Sequence, residues 1–172
     1  MQKTLSIMII AALLLTACSG TKEKPSVIIE NTFTPTEITT FKSTGDPICR
    51  DGEKPIVRLY STSWCPHCAW VKETYDSVVQ EYVNQGKIVA YHWEIDTADD
   101  LLTPQKEAGV PEEEITFFKK YNPEGSIPTF VMGCKYARVG NGYETQQNLV
   151  AEEAEFRLVI EDLLNSTKNE NQ

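Results

Sequence analysis

The chain has 172 residues, with 25 acidic and 16 basic side chains and a formal net charge of −9. That length suits one ordinary domain with tails, and the charge excludes a nucleic-acid partner, because no basic patch is present to neutralise phosphates. Five cysteines are too few for a disulfide-built mini-scaffold and too many to be incidental, so the compartment has to be read from the first residues.

Those residues are MQKTLSIMIIAALLLTACSG. Lys3 precedes an apolar run over residues 5–15, and small residues then lead into Cys18. This is the charge, length and ending of a secretory signal, and the run is short of the roughly 20 apolar residues that a spanning helix needs. The ending Leu15-Thr16-Ala17-Cys18 resembles the lipobox of bacterial lipoproteins. The resemblance implies cleavage before Cys18, after a signal peptide of residues 1–17, and acylation of that cysteine. An ordinary cleaved signal that happens to contain a cysteine is the alternative. Residues 18–47, rich in Thr, Ser, Lys, Glu and Pro, read as the lipidated cysteine and a flexible tether. The patch Val27, Ile28 and Ile29 is a weak candidate for an extra strand.

A domain is expected over 48–165, with a disordered tail at 166–172. Residues 55–61, PIVRLYS, form a short β-branched run and predict a buried strand. Pro66 stands where a helix begins. Trp70, Val71, Tyr75, Val78, Val79 and Tyr82 follow at helical spacing, and Gly86 ends the element. A second strand is expected over 87–95, KIVAYHWEI, then one or two helices up to Tyr121 around a break at 109–111. IPTFVMG and KYARVG read as two strands joined tightly at Gly133-Cys134. A last helix is expected over about 147–164, with Leu149, Val150, Ala154, Phe156, Leu158, Val159, Leu163 and Leu164 inward. The order is β-α-β-α-β-β-α.

Trp64-Cys65-Pro66-His67-Cys68 opens a helix directly after a strand, and Ser126-Ile127-Pro128-Thr129 follows about sixty residues later, before a hairpin. Together these resemble the thioredoxin-fold proteins, over roughly residues 49–164. The resemblance implies an α/β fold whose central mixed sheet of four or five strands is flanked by helices. It implies that Pro128 is cis and faces the cysteine pair. The Pro66-His67 dipeptide is similar to that of DsbA-like oxidases, while Trp64 and the loop of Ile127, Pro128 and Thr129 are more like thioredoxin itself. A peptide substrate is expected around Trp64, Pro66, Ile127, Pro128 and Thr129.

The chemistry accounts for the spacing. A cysteine at a helix start faces unsatisfied N–H groups and the positive end of the dipole, which favour a thiolate, so Cys65 is the expected nucleophile. Cys68, one turn on, resolves the mixed disulfide that Cys65 forms. His67 is expected to stabilise the Cys65 thiolate, its alternative being a solvated helix residue. A copper- or zinc-binding lipoprotein using the same two thiolates is the competing function, although the other cysteines are single and far apart and no metal ligand set is assigned. His92, in an apolar strand, is expected to be a core or edge residue. The family generally keeps a buried acid six positions before the first cysteine, and here that position is Leu59. Proton transfer from Cys68 is therefore left to water or to an unassigned carboxylate, with Glu94 and Asp96 as candidates. Glu112, Glu113 and Glu114 read as a solvated helix start, and Phe117 and Phe118 as core and near-core residues.

In an oxidising compartment the two remaining cysteines, Cys49 and Cys134, are expected to pair. In a thioredoxin-like sheet both would lie at the end away from the active site; two free, buried thiols are the alternative. The expectation is thus a membrane-tethered, extracytoplasmic oxidoreductase with no cofactor beyond its own cysteines. It would exchange disulfides with protein thiols, be reset by a redox partner, and be held at the membrane by its lipid. The direction of exchange stays open, with the dipeptide favouring oxidation.

Overall fold

The structure, a computed structural model, describes residues 33–170, the last four as backbone. The signal segment, Cys18 and the patch Val27, Ile28 and Ile29 lie outside the described residues. The elements in chain order are β1 (Lys42–Ser43), β2 (Arg50–Asp51), β3 (Lys54–Ser61), α1 (Pro66–Asn84), β4 (Val89–Glu94), β5 (Asp99–Asp100), α2 (Glu112–Tyr121), β6 (Thr129–Met132), β7 (Tyr136–Val139) and α3 (Leu149–Glu170). The fold is mixed α/β. Strand order is β1-β7-β6-β3-β4-β5, with β2 paired to β3 off this path, seven strands among the described residues. Only β3 and β4 run parallel; the other pairings are antiparallel. The four longer strands and three helices are those expected from periodicity, while β1, β2 and β5 are two-residue additions too short to show a pattern.

Both faces of the sheet are covered, which is why β3 and β6 read as continuous apolar runs. On one face Val57 and Leu59 of β3, with Phe130 and Met132 of β6, pack against Val71, Tyr75, Val78 and Val79 of α1 and Phe156, Val159, Ile160 and Leu163 of α3. Tyr75, Phe130 and Phe156 are fully buried and in mutual ring contact at 5.2 to 5.9 Å, each ring stabilising the fold by about 1.5–3 kcal/mol. On the other face Tyr60, Trp93, Phe118 and Val131 form a smaller cluster under α2. There Glu114 is buried against the Arg58 guanidinium, with Arg58 Nε donating at 2.8 Å and Tyr60 OH also donating at 2.8 Å. Glu114 is therefore not the solvated residue that its place in the first turn suggested.

The fold begins upstream of residue 48. Phe41 lies in the main core, β1 pairs with β7, and the backbone N–H groups of Thr39 and Thr40 donate to the buried Glu155 carboxylate. What looked like tether is pinned because Glu155 needs donors. Glu152 and Glu155 are 0% exposed on α3; both pair with the buried guanidinium of Arg138, and Glu152 accepts from the backbone N–H groups of Gly142 and Tyr143. Burial raises the Glu152 pKa and lowers that of Arg138, with their mutual attraction opposing both shifts. The inward face of α3 is correspondingly rotated from expectation: Leu149 and Val150 are exposed, while Ala151 and Ile160 are buried. The helix also continues through Glu170, across the expected tail.

At the β6–β7 turn Gly133 and Cys134 both have φ near +57°, the left-handed geometry that a tight hairpin favours. A Cβ at Gly133 would meet Leu163 Cδ2 at 2.5 Å, so the turn requires glycine for space as well as for φ. Cys49 and Cys134 are disulfide-bonded, with Cα atoms 5.3 Å apart. No helix among the described residues is long and apolar enough to cross a membrane.

Candidate active site

Cys65 caps α1. Its backbone is extended, Pro66 occupies the first turn, and Cys65 Sγ accepts the Cys68 N–H at 3.2 Å. That bond satisfies a donor that a helix start would otherwise leave free, and it would strengthen with negative charge on the sulfur. Both cysteines are free thiols, each 3% exposed, so exposure does not distinguish outer from inner sulfur. Environment does. Burial, then a hydrogen bond with Cys65, pushes the Cys68 thiol up to about 12. Across from the pair, the Ile127–Pro128 peptide is cis, and the Ile127 carbonyl lies 4.0 Å from Cys65 Sγ. The Pro128 carbonyl is engaged by the Gly140 N–H at 2.8 Å, which ties this loop to the end of β7.

Trp64, 72% exposed, stands free at the rim. Ile127 is half-buried and packs against the smaller core cluster. Thr129 is fully buried, its hydroxyl donating to the Ser126 carbonyl at 2.6 Å and accepting from Asn122 at 2.7 Å. Its side chain braces the loop from within. The His67 ring is largely exposed, and its Nδ1 lies 2.8 Å from the Glu144 carboxylate. Asn141 bridges this contact, donating to Glu144 Oε2 and to the His67 carbonyl at 2.8 Å each. Glu144 and Asn141 come from the segment after β7, and no spacing in the sequence links them to residue 67.

Of the two candidate carboxylates, Asp96 is held by Ser63, whose hydroxyl and N–H donate at 2.6 and 2.9 Å; these bonds hold its pKa below the usual range. Glu94 accepts from Thr97 at 2.8 Å and lines a cavity of about 110 Å³ together with Cys68, Ser61, Lys72 and His92. Leu59 is fully buried in the main core. His92, 1% exposed, is more than a core filler. Its Nδ1 lies 2.6 Å from Asp76 Oδ1 and its Nε2 lies 2.9 Å from Ser61 Oγ. The three residues come from α1, β3 and β4.

Among the described residues no group of three or more His, Cys, Asp or Glu is arranged to hold a metal ion. Comparison with protein-family models finds none that matches the chain, and comparison with curated proteins finds no match.

Proposed function

We propose that the chain is a thioredoxin-like thiol–disulfide oxidoreductase. It acts outside the cytoplasm, is tethered by a lipid on Cys18, and exchanges disulfides with protein substrates through Cys65 and Cys68. The observation that carries this reading is the cap geometry: two free thiols at one helix start, with Cys65 Sγ accepting the Cys68 N–H, beside the loop of Ile127 and Pro128. Support also comes from the Cys49–Cys134 disulfide, a bond that persists in oxidising compartments. Cys65 attacks a client disulfide and the client's first thiolate leaves. Cys68 then attacks Cys65 Sγ, the second client thiolate leaves, and the enzyme pair ends oxidised as the client ends reduced. The reverse sequence donates a disulfide.

The test is trapping in cells. Cys68→Ser accumulates mixed disulfides with client proteins and Cys65→Ser traps almost none; equal trapping by the two variants sinks the assignment. A reduction potential measured against glutathione sets the direction. For the tether, Cys18→Ala releases the protein from the membrane fraction or leaves its signal uncleaved, and retention of a processed, non-acylated form overturns that part.

A further inference from the structure

Attack by Cys68 requires its thiol to shed a proton, and its surroundings oppose that ionisation. The cavity beside it provides a way out. Ser61 and His92 share the cavity wall with Cys68, Ser61 Oγ meets His92 Nε2 at 2.9 Å, and His92 Nδ1 meets Asp76 at 2.6 Å. Asp76 is 24% exposed, so a hydrogen-bonded line runs from the inner thiol's cavity to solvent. The cavity also holds the buried Thr62 hydroxyl, which has no hydrogen-bond partner. A site of about 110 Å³ lined by such groups is polar and roomy enough to seat a bridging water. It is too small for a substrate, since ligand pockets run to about 300–1,000 Å³, so the Ser-His-Asp order is not that of a hydrolase here.

We propose that Ser61, His92 and Asp76 are the proton relay of Cys68, an inference that rests on the exchange reaction proposed above. With the Asp76 carboxylate accepting from Nδ1–H, the neutral imidazole has its lone pair on Nε2, where the Ser61 hydroxyl donates. As Cys68 attacks Cys65 Sγ, its proton passes to Ser61, directly or through water, and the Ser61 proton passes to His92 Nε2. The Cys65–Cys68 bond forms, the Cys65–client bond breaks, and the client thiolate takes its proton from solvent. In the reverse direction the imidazolium returns the proton to Cys68. His92 faces Asp76 and Tyr75 on α1, Leu59 and Ser61 on β3, and Asp100 on β5, whose Oδ1 accepts the His92 backbone N–H at 2.9 Å. Lys72 and Glu94 complete the charged surroundings of the cavity. Three carboxylates, Asp76, Asp100 and Glu94, thus stand against one lysine around the relay. His92 and Asp76 act through Ser61 and are positioning residues.

The experiment mixes the reduced full-length protein with excess of a self-quenched peptide disulfide. Dequenching in stopped flow, as the first S–S bond breaks and the halves part, gives a first phase that reports attack by Cys65; decay of the Cys65–peptide mixed disulfide, followed by acid quench and mass, gives a second phase that reports resolution by Cys68. His92→Phe is expected to leave the first phase within about twofold and to slow the second by about 100-fold near pH 7, the scale of lost general acid–base help. Its second-phase rate then rises about tenfold per pH unit from about pH 7 to 9, whereas the wild-type rate changes little. Ser61→Ala and Asp76→Asn show the same steepened pH profile with smaller losses, and they decide the matter if His92→Phe does not fold. A second phase with the wild-type pH profile in these variants overturns the relay, including the case in which both phases slow together, as damage to packing would produce. Absence of any first phase above that of Cys65→Ser overturns the exchange reaction itself, and the relay with it.

Discussion

Two cysteine pairs lie at opposite ends of β3. Cys49 and Cys134 are joined beside its start, and Cys65 and Cys68 are free thiols beyond its end. The joined pair is locked by backbone on both sides, with the Cys49 N–H donating to the Gly133 carbonyl and the Ile56 N–H to the Cys49 carbonyl, both at 3.0 Å. The guanidinium of Arg58 lies 3.6 Å from Cys49 Sγ, and Arg58 cannot take up a thiol proton. The free pair has a helix start under one sulfur and a cavity with hydroxyl, imidazole and carboxylate groups beside the other. On the exchange reaction proposed above, what separates the staple from the free pair is the nearby means of stabilising a thiolate and of moving a proton.

The sharpest way to break this comparison is to exchange the roles by mutation. Cys65→Ser is expected to reduce disulfide exchange to background, measured as reduction or formation of a disulfide in a model protein client. The double variant Cys49→Ala/Cys134→Ala is expected to keep exchange within about threefold, because distant sites act independently. Loss of exchange in the double variant would show that the far disulfide belongs to the chemistry.

A second contrast lies between the two free thiols. With its thiol pushed from 9.0 to about 12, Cys68 is ionised to only about one part in a thousand at pH 9. Alkylation by iodoacetamide, mapped by peptide mass, is expected to spare Cys68 there and to reach it about ten times faster with each further pH unit. The linked effect on stability has a definite sign. The folded pKa lies above the unfolded one, so the contribution is present below pH 9.0 and is lost as pH rises toward about 12. Urea unfolding of the reduced protein is therefore expected to weaken across that range relative to the form in which Cys65 and Cys68 are joined.

The staple has its own measurable effect. It closes a sequence separation of 85 residues, for which chain entropy alone predicts a stabilisation of about 4.6 kcal/mol. The Cys49→Ala/Cys134→Ala variant is expected to lose that much at most, lowering the urea midpoint by at most about 1.5–4.6 M at ordinary m-values of about 1–3 kcal/mol/M. An unchanged midpoint would mean that the backbone bonds around Gly133 already hold the two ends without the sulfurs.

Much of this arrangement was legible in the sequence where residues repeat with a period. The two sulfur pairs, the four longer strands and α1 follow from spacing and from the family resemblance. The rest was hidden for physical reasons. His92 sits in the apolar stretch KIVAYHWEI and reads as core, which it is, but its partners come from two other elements. Glu152 and Glu155 look like the polar face of α3, and only the pairing with Arg138 and the backbone donors of the 39–40 and 142–143 segments makes their burial tolerable. Phe41 has no periodic neighbours, and the segment before it is held by Glu155, which accepts from the backbone of Thr39 and Thr40.

The smallest expected effect concerns His67, where the comparison can be sharpened most finely. Its ring pairs with Glu144 in a largely exposed contact, and the carboxylate offsets any positive charge that the imidazole would present to Cys65. Glu144→Gln keeps the hydrogen-bond acceptor and removes that offset. At low salt the variant is expected to be alkylated at Cys65 about two- to fivefold faster, the scale of an exposed charge interaction, and about 1 M salt is expected to abolish the difference. A change that persists at high salt would assign the effect to loop geometry through Asn141. No change at either salt concentration would leave the helix start alone responsible for Cys65, and His67 as a solvated residue on α1.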